Sequence, residues 1–406
     1  MTKTLPKIAN LGDACCGCGA CAAKCPKKCI VMNSDEEGFL RPSIDLSACV
    51  GCDSCDSVCP VEASRSADGI ESLIWAKSKN HADRASSSSG GIFALLAHSV
   101  LSRGGAVVGA AWAPDYKSVQ HVIVDDESQL DSLMRSKYVQ SAMRPEIYEG
   151  IRHALLSDRC VLFTGTACQI AGIRAYLGRL SDSDHLILVD VVCHGVPSPL
   201  LWERWSDFKQ LTAGNHLSDV NMRDKKTGWM TYSSSYTYFD DGESSGISTP
   251  ILPFVESVPF TEDWYMKAFL ANACLRPSCY SCPVKRSCGS DITLGDFWGI
   301  QSVHPEVDFD GGVSAVICNT VLGSRIIESL KSGMDWGQSC IEKVLPGNPS
   351  LTTSVTPYKK RYEFMNDLSN FVDISEMMEK YDFRPSISYR LLSKLKAFKG
   401  KISRFF

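Results

Sequence analysis

The chain of 406 residues lacks the features that mark most specialised protein classes. It has no run of about eighteen apolar residues, so nothing in it is expected to span a membrane. The opening stretch "MTKTLPKIANLGD" has no apolar core of the kind a signal peptide needs, which points to a cytoplasmic, reducing location. Charge of neither sign is in excess. Lys+Arg 42 against Asp+Glu 46 gives −4, so neither nucleic acid nor a strongly charged partner is expected. A hydrophobic content of 44% and a charged content of 22% describe an ordinary globular protein, long enough for two domains or three small ones.

Cysteine is what the chain has in abundance. Nineteen are present, and ten of them fall before residue 60. In a reducing compartment clustered thiols indicate metal rather than disulfides, and a secreted disulfide scaffold fits poorly with this length and spacing. Shifted by 34 positions, the first sixty residues match themselves. Cys15, Cys18, Cys21 and Cys25 land on Cys49, Cys52, Cys55 and Cys59, Gly17 on Gly51, and Pro26 on Pro60. Both copies read C-x2-C-x2-C-x3-C-P, the run that ligates two [4Fe–4S] cubanes. The close spacing lets one short loop wrap three corners of a cubane, with Gly17 and Gly51 permitting the tight backbone. The proline then turns the fourth cysteine toward the other cluster. The expected ligands are therefore Cys15, Cys18, Cys21 and Cys59 for cluster 1, and Cys49, Cys52, Cys55 and Cys25 for cluster 2. Cys16 lands on Val50 and Cys29 on Ala63, so both read as bystanders. A zinc module is the competing reading, but it needs four ligands in two pairs rather than two interlocked sets of four. Between the halves, "CIVMNSDEEGFLRPSID" predicts two short strands around a polar turn.

After Pro60 the chain turns polar and is broken by Ser and Gly, which places a domain boundary near residues 70–84. Helical and strand patterns then alternate. "GGIFALLAHSVLSR", "RPEIYEGIRHALLSD", "QIAGIRAYLGRL" and "PLLWERWSDFKQL" read as helices; "AVVGAAW", "HVIVDD", "CVLFTGT" and "HLILVDVVC" read as strands. Such alternation argues for an α/β domain with a partly parallel sheet. Residues 229–260 read as a hairpin or loops. Two strands run into polar loops, "TGTACQ" (164–169) and "CHGVPSP" (193–199), and ligands of open α/β sheets bind beyond the carboxyl ends of strands. A further cysteine group follows at Cys274, Cys279, Cys282 and Cys288.

The doubled cysteine run, "SSSSGGIF", "SKYVQS", "LFTGTACQIAG", "VDVVCHGVPSP", "RDKKTGW" and "RPSCYSC…SDITLGDFWG" together resemble the coenzyme F420 hydrogenase/dehydrogenase beta-subunit family, in order from residue 15 to about residue 320. The resemblance implies an α+β chain: a small bicluster ferredoxin-like domain over 1–75, then a larger α/β flavoprotein domain with a mixed sheet over 80–345. Residues 346–406 are left as a C-terminal linker and a basic helical tail. The family's archetypes use FAD to move electrons between iron–sulfur clusters and a deazaflavin, and other members act on other substrates. In this family the positions of Cys168, Cys193, Cys279 and Cys282 recur, which makes them candidates for a third cluster. Two readings compete with it: a local knuckle of Cys274, Cys279, Cys282 and Cys288, or Cys168 and Cys193 as buried core thiols.

By the same resemblance Ser87, Ser88, Ser89, Gly90 and Gly91 contact FAD, where free N–H groups at a helix start meet a phosphate. The alternative for "SSSSGG" is a flexible linker. Thr164, Gly165 and Thr166 offer further donors to the flavin, and Lys137 and Tyr138 belong to the same set. The family usually shows proline where this chain has Ala167, and glycine where it has Arg135. Arg223 and Lys225 are candidates for an anionic substrate, against a reading as a solvated turn. His194 is a candidate proton relay, against a hydrogen bond within its loop. Asp291 and Asp296 are expected to orient a loop or cap the cluster region. The tail "YRLLSKLKAFKGKISRFF" reads as a docked terminal helix, against a membrane-surface helix.

Two functions fit. One is an oxidoreductase joining two or three [4Fe–4S] clusters to FAD and a small-molecule redox substrate, a deazaflavin among the candidates. The other is a non-catalytic electron-transfer or assembly subunit whose partner redox protein does the chemistry.

Overall fold

The computed structural model describes residues 5–63, 66–239 and 253–383. The basic tail lies outside the described residues, as do positions 240–252 of the segment read as a hairpin or loops.

The cysteine-rich part carries one hairpin, β1 (Ile30–Ser34) and β2 (Leu40–Ile44), paired antiparallel from Ile30↔Ile44 to Ser34↔Leu40. Its turn is held by Asp35, whose carboxylate accepts from the N–H groups of Glu37 and Phe39 at 3.0 and 2.8 Å, as an Asx turn requires. The larger part contributes β3 (Ser72–Ser78), β4 (Ala106–Trp112), β5 (Val119–Val124), β6 (Ser141–Ala142), β7 (Val161–Gly165), β8 (Leu186–Val191), β9 (His216–Asp224), β10 (Ser233–Phe239), β11 (Phe254–Pro259), β12 (Ile292–Asp296), β13 (Ser314–Cys318) and β14 (Met334–Gln338).

Nine of these form one mixed sheet in the order β14-β3-β13-β12-β8-β7-β4-β5-β6, and β9, β10 and β11 form a separate antiparallel sheet. β12, β8, β7 and β4 run parallel. β7 and β8 are the apolar runs "VLF" and "LILV", buried between layers of helices, as parallel strands usually are. β3 shares their direction through two antiparallel steps across β13. The carboxyl ends of β3, β4, β7, β8 and β12 therefore lie along one edge.

Ile92, Ala97, Val100, Leu130 and Ile327 cover one face of the sheet, and Tyr148, Ile151, Ile170 and Ile173 cover the other. The second layer also takes up Cys18, Ala20 and Val58, so the cysteine-rich part docks on the helices Pro145–Leu156 and Ala167–Leu177. A third core gathers Trp202, Trp205, Trp264, Tyr236 and Phe39. Among the described residues no helix is long and apolar enough to cross a membrane.

Two expectations about organisation need correction. The boundary placed near 70–84, and between 75 and 80 by domain range, falls on or just after β3, which is hydrogen-bonded between β14 and β13 inside the large sheet. The large domain therefore begins before Ser72. Residues 346–383 are likewise not a linker and tail. Phe364, Met365, Leu368, Ile374, Met377 and Tyr381 are buried in the aromatic core, each burial contributing about 1.5–3 kcal/mol. Arg361 also pairs with Glu37 of the β1–β2 turn at 3.0 and 2.6 Å, clasping the two parts together.

Candidate functional site

Three cavities are lined by cysteine. The first, ≈ 310 Å³, is lined by Cys15, Cys18, Cys21 and Cys59. The second, ≈ 330 Å³, is lined by Cys25, Cys49, Cys52 and Cys55. The fourth cysteine of each run thus lines the cavity of the other run. Gly17 and Gly51 take φ +69° and +68°, the left-handed region glycine enters without cost from a Cβ. Neither bystander is remote: Cys16 touches the first cavity and Cys29 the second, where its Sγ lies 3.4 Å from Cys25 Sγ.

The third cavity, ≈ 790 Å³, is lined by Cys168, Cys193, Cys279 and Cys282. Sheet register brings the first two together. Gly165 of β7 pairs with Asp190 of β8, and each cysteine stands three residues beyond its strand partner, on adjacent loops at the same height. Thr166 caps the helix Ala167–Leu177 in a capping box with Gln169, which fixes Cys168 in the first turn. The loop bearing Cys279 and Cys282 is delivered by the antiparallel bridge Pro197↔Leu275 and by the bond from Arg276 N–H to Val196 O at 2.9 Å. The N–H of Val196 in turn donates to Cys279 Sγ at 3.4 Å. Cys274 and Cys288 do not line this cavity: Cys274 is sealed in the aromatic core and Cys288 in the layer beneath the sheet.

The donor sets fit iron–sulfur clusters. Each cavity presents four thiols, the soft ligands such clusters take. Among the described residues no three His, Cys, Asp or Glu side chains are arranged to hold a single metal ion, as a zinc knuckle would need; cubane thiolates instead bind four separate irons. Burial pushes the thiols of Cys21 and Cys279 up to about 12, so only a bound metal cation makes thiolates of them at neutral pH. Around the third cavity stand Arg276, Lys285 and Arg286, cations that offset the negative charge of a thiolate-bound cluster. Lys285 Nζ donates to Cys193 O at 2.8 Å and to Ser350 O at 2.6 Å. Arg276 reaches into the cysteine-rich part, donating to Cys15 O at 2.7 Å and Leu40 O at 2.9 Å. Sequence reasoning missed these cations, although "RPSCYSCPVKR" interleaves them with the cysteines.

The residues assigned to a flavin divide into two groups on the same sheet edge. Ser87 to Gly91 follow β3, and Thr164 to Thr166 follow β7, four strands or about 19 Å apart. In the first group the hydroxyls already serve the protein. Ser87 donates to Asp83 O, Ser89 donates to Val313 O, and Ser88 accepts from Ser136 N–H. What this segment offers a phosphate is the start of the helix Ile92–Leu101, whose N-cap Gly91 gives no side-chain cap. In the second group Thr164 donates to Val108 O, Gly165 packs on Gln169, and Thr166 lines the third cavity.

Arg223 and Lys225 both support the Ser88–Ser89 turn. Lys225 Nζ donates to Arg84 O, Ser89 O and Gly311 O at 2.6, 2.9 and 2.6 Å, which uses all three of its protons. The solvated-turn reading of this charge run therefore does not hold. Arg223, 4% exposed, pairs with Asp296 at 3.0 Å and donates to Tyr138 Oη and Ser88 O. Its Nε is buried without a partner, an unspent donor among the rings of Tyr138, Tyr232 and Trp298. These features fit a bound anionic, aromatic cofactor.

Lys137 Nζ donates to Met134 O at 2.8 Å, and burial pushes its pKa down to about 7. Tyr138 stacks on Phe269, and Phe269 meets the His194 ring edge-on. His194 Nε2 lies 2.6 Å from Asn272 Oδ1, and burial lowers its pKa, so it is neutral at pH 7. Asp296 holds Arg223, while Asp291 accepts from Leu188 N–H and Thr320 Oγ1 away from these groups. Arg135 has φ +71°, which is why glycine suits this position; its guanidinium pairs with Asp219 at 2.8 Å.

Residues 158–335 match the family model for the C terminus of the coenzyme F420 hydrogenase/dehydrogenase beta subunit, and residues 14–63 match that of a 4Fe-4S dicluster domain. No curated protein matches the chain. Among solved structures, a chain of the xenon-derivatized F420-reducing [NiFe] hydrogenase complex from Methanosarcina barkeri is similar at 17% identity and a TM-score of 0.44, covering 78% of this chain and 93% of that one.

Proposed function

Since the chain belongs, over residues 158–335, to the coenzyme F420 hydrogenase/dehydrogenase beta-subunit family and carries a 4Fe-4S dicluster domain over 14–63, we propose that it is an iron–sulfur flavoprotein oxidoreductase. It passes electrons between [4Fe–4S] clusters and FAD, and exchanges an electron pair with a small molecule, coenzyme F420 being one candidate. The observation that carries this reading is the third cavity. It joins four thiols to the carboxyl edge of the sheet, beside an uncapped helix start and the buried guanidinium of Arg223.

Bound clusters supply one-electron carriers, and bound FAD couples them to two-electron chemistry. The chain's own residues hold these groups. Cys15, Cys18, Cys21 and Cys59 grip one cluster, Cys25, Cys49, Cys52 and Cys55 a second, and Cys168, Cys193, Cys279 and Cys282 a third. Ser87 to Gly91, stiffened by Lys225 and Arg223, receive phosphate through backbone N–H groups. Lys137 and Tyr138 stand by the ring system, and Thr164 to Thr166 border the path to the third cage. Neutral His194 is able to carry a proton at Nδ1 or Nε2 beside Phe269.

A second reading is a subunit fed by a protein partner. The second cavity favours it, because Cys52 and Val50 on its rim are exposed, where an external carrier can approach. Anaerobic purification with iron, sulfide and released-flavin quantitation tests the proposal. About twelve irons and one FAD per chain are expected. Little iron with stoichiometric zinc, or no flavin after reconstitution, refutes it. Flavin reduction that needs an added electron-donating protein selects the second reading.

A further inference from the structure

Cys16 has no counterpart in the second run, where Val50 stands. It lines both the first cavity and the third. Pro60 and Val61 also line both, so these three residues form the partition between the two cages, whereas the second cavity shares no lining residue with either. The helix Ala167–Leu177 borders the same gap. Cys168 lines the third cavity, and Gly172 one turn on touches Cys18 of the first, a Cβ there lying 3.2 Å from Cys18 Sγ. One helical turn is about 5.4 Å, so the two cages are close neighbours. Cys16 packs on the same apolar cluster as Cys18, Cys168 and Cys282, and its side chain is hydrogen-bonded to that of Cys168.

We propose that Cys16 is a positioning residue that couples the first cage to the third, its S–H donating to the Cys168 sulfur when that sulfur carries iron and so raising the third cluster's reduction potential. This rests on reading Cys168, Cys193, Cys279 and Cys282 as a cluster site. An iron-bound thiolate has no proton, so in the Cys16–Cys168 contact only Cys16 can donate. Hydrogen bonds to ligand sulfurs are among the factors that set cluster potentials, because they offset the negative charge that reduction adds. Val50 shows that the cage loop forms without a thiol at this position, so ligation and turn geometry do not explain Cys16.

The test compares the full chain, Cys16→Val and Cys16→Ser, all purified anaerobically, by iron content and by redox titration followed by electron paramagnetic resonance. All three are expected to hold about twelve irons. In Cys16→Val one cluster shifts to lower potential while the others stay, and Cys16→Ser, which keeps a donor, lies near the unmodified chain. About eight irons in the unmodified chain removes the third cage and this inference with it. Twelve irons with unmoved potentials in Cys16→Val overturns this inference alone. Loss of about four irons in Cys16→Val makes Cys16 a ligand and overturns it as well.

Discussion

Arg276 is the side chain on which the docking of the cysteine-rich part most depends. It is 1% exposed, and its fork donates to Cys15 O at 2.7 Å, Leu40 O at 2.9 Å and Gln140 Oε1 at 3.3 Å. Its charge lies 5.3 Å from the centre of the Phe39 ring. Arg276→Met keeps the length and the apolar stem but deletes three charged donors. Each such bond contributes roughly 1.5–3 kcal/mol, and an orphaned buried carbonyl adds its own desolvation cost. The three share one side chain, so the low end of the range applies, about 4 kcal/mol in total. At 1.4 kcal/mol per factor of ten, opening of the cysteine-rich part rises several hundredfold. Limited proteolysis of the cluster-loaded chain reads this directly, because cleavage tracks the open population when reclosing is fast. Cuts are expected within residues 14–63 and not in the helix Ile92–Leu101. Arg276→Lys keeps the charge without the fork and should fall between. A Met variant cleaved less than about threefold faster would refute this account of the junction.

Gly172→Val is expected to empty the first cage, because even a Cβ lies 3.2 Å from both Cys18 Sγ and Tyr148 Oη; iron should fall by about one cluster, and unchanged iron contradicts the packing. His121 is 3% exposed, donating from Nε2 to Thr164 O and accepting at Nδ1 from Ser141 Oγ, and burial pushes its pKa down to about 4. Unfolded histidine titrates near 6.5, so the unfolded chain binds the extra proton first. Stability should be complete above pH 6.5 and fall by about 3 kcal/mol toward pH 4; denaturation midpoints across this window should flatten in His121→Gln, and an equally steep profile there assigns the titration elsewhere. Lys225→Met removes three donors from Arg84 O, Ser89 O and Gly311 O. Amide exchange over residues 84–91 should quicken by tenfold or more with weaker flavin retention; unchanged exchange means that the clamp does not hold this turn.

The parts of the site that were legible in advance are those whose geometry is local. A C-x2-C-x2-C loop turns on its own glycine, and the β1–β2 hairpin turns on Asp35 within a few residues. The helix Ala167–Leu177 announces itself through Thr166 and Gln169. The parts that were not legible depend on distant partners. "PGNPSLTTSVTP" reads as a linker because it is polar and rich in Pro and Ser, yet Asn348 donates to Asp296 O and Ser354 accepts from Cys282 N–H. Nothing in its own composition encodes those acceptors. β3 was cut from its domain because a polar stretch precedes it, whereas its place is set by β13 and β14, hundreds of residues later.

By itself the sequence determined that eight cysteines form two interlocked sets and that strands and helices alternate after them, because both follow from short-range spacing and from periodic burial. Tertiary structure decided which of the other cysteines meet. Cys168 and Cys193 come together only because β7 and β8 are parallel neighbours in register. Cys279 and Cys282 join them only through a bridge to the β8 loop, and Cys16 touches them only because the small domain docks there. Strand order is fixed by burying every apolar face at once, and that is a property of the whole chain rather than of any stretch of it.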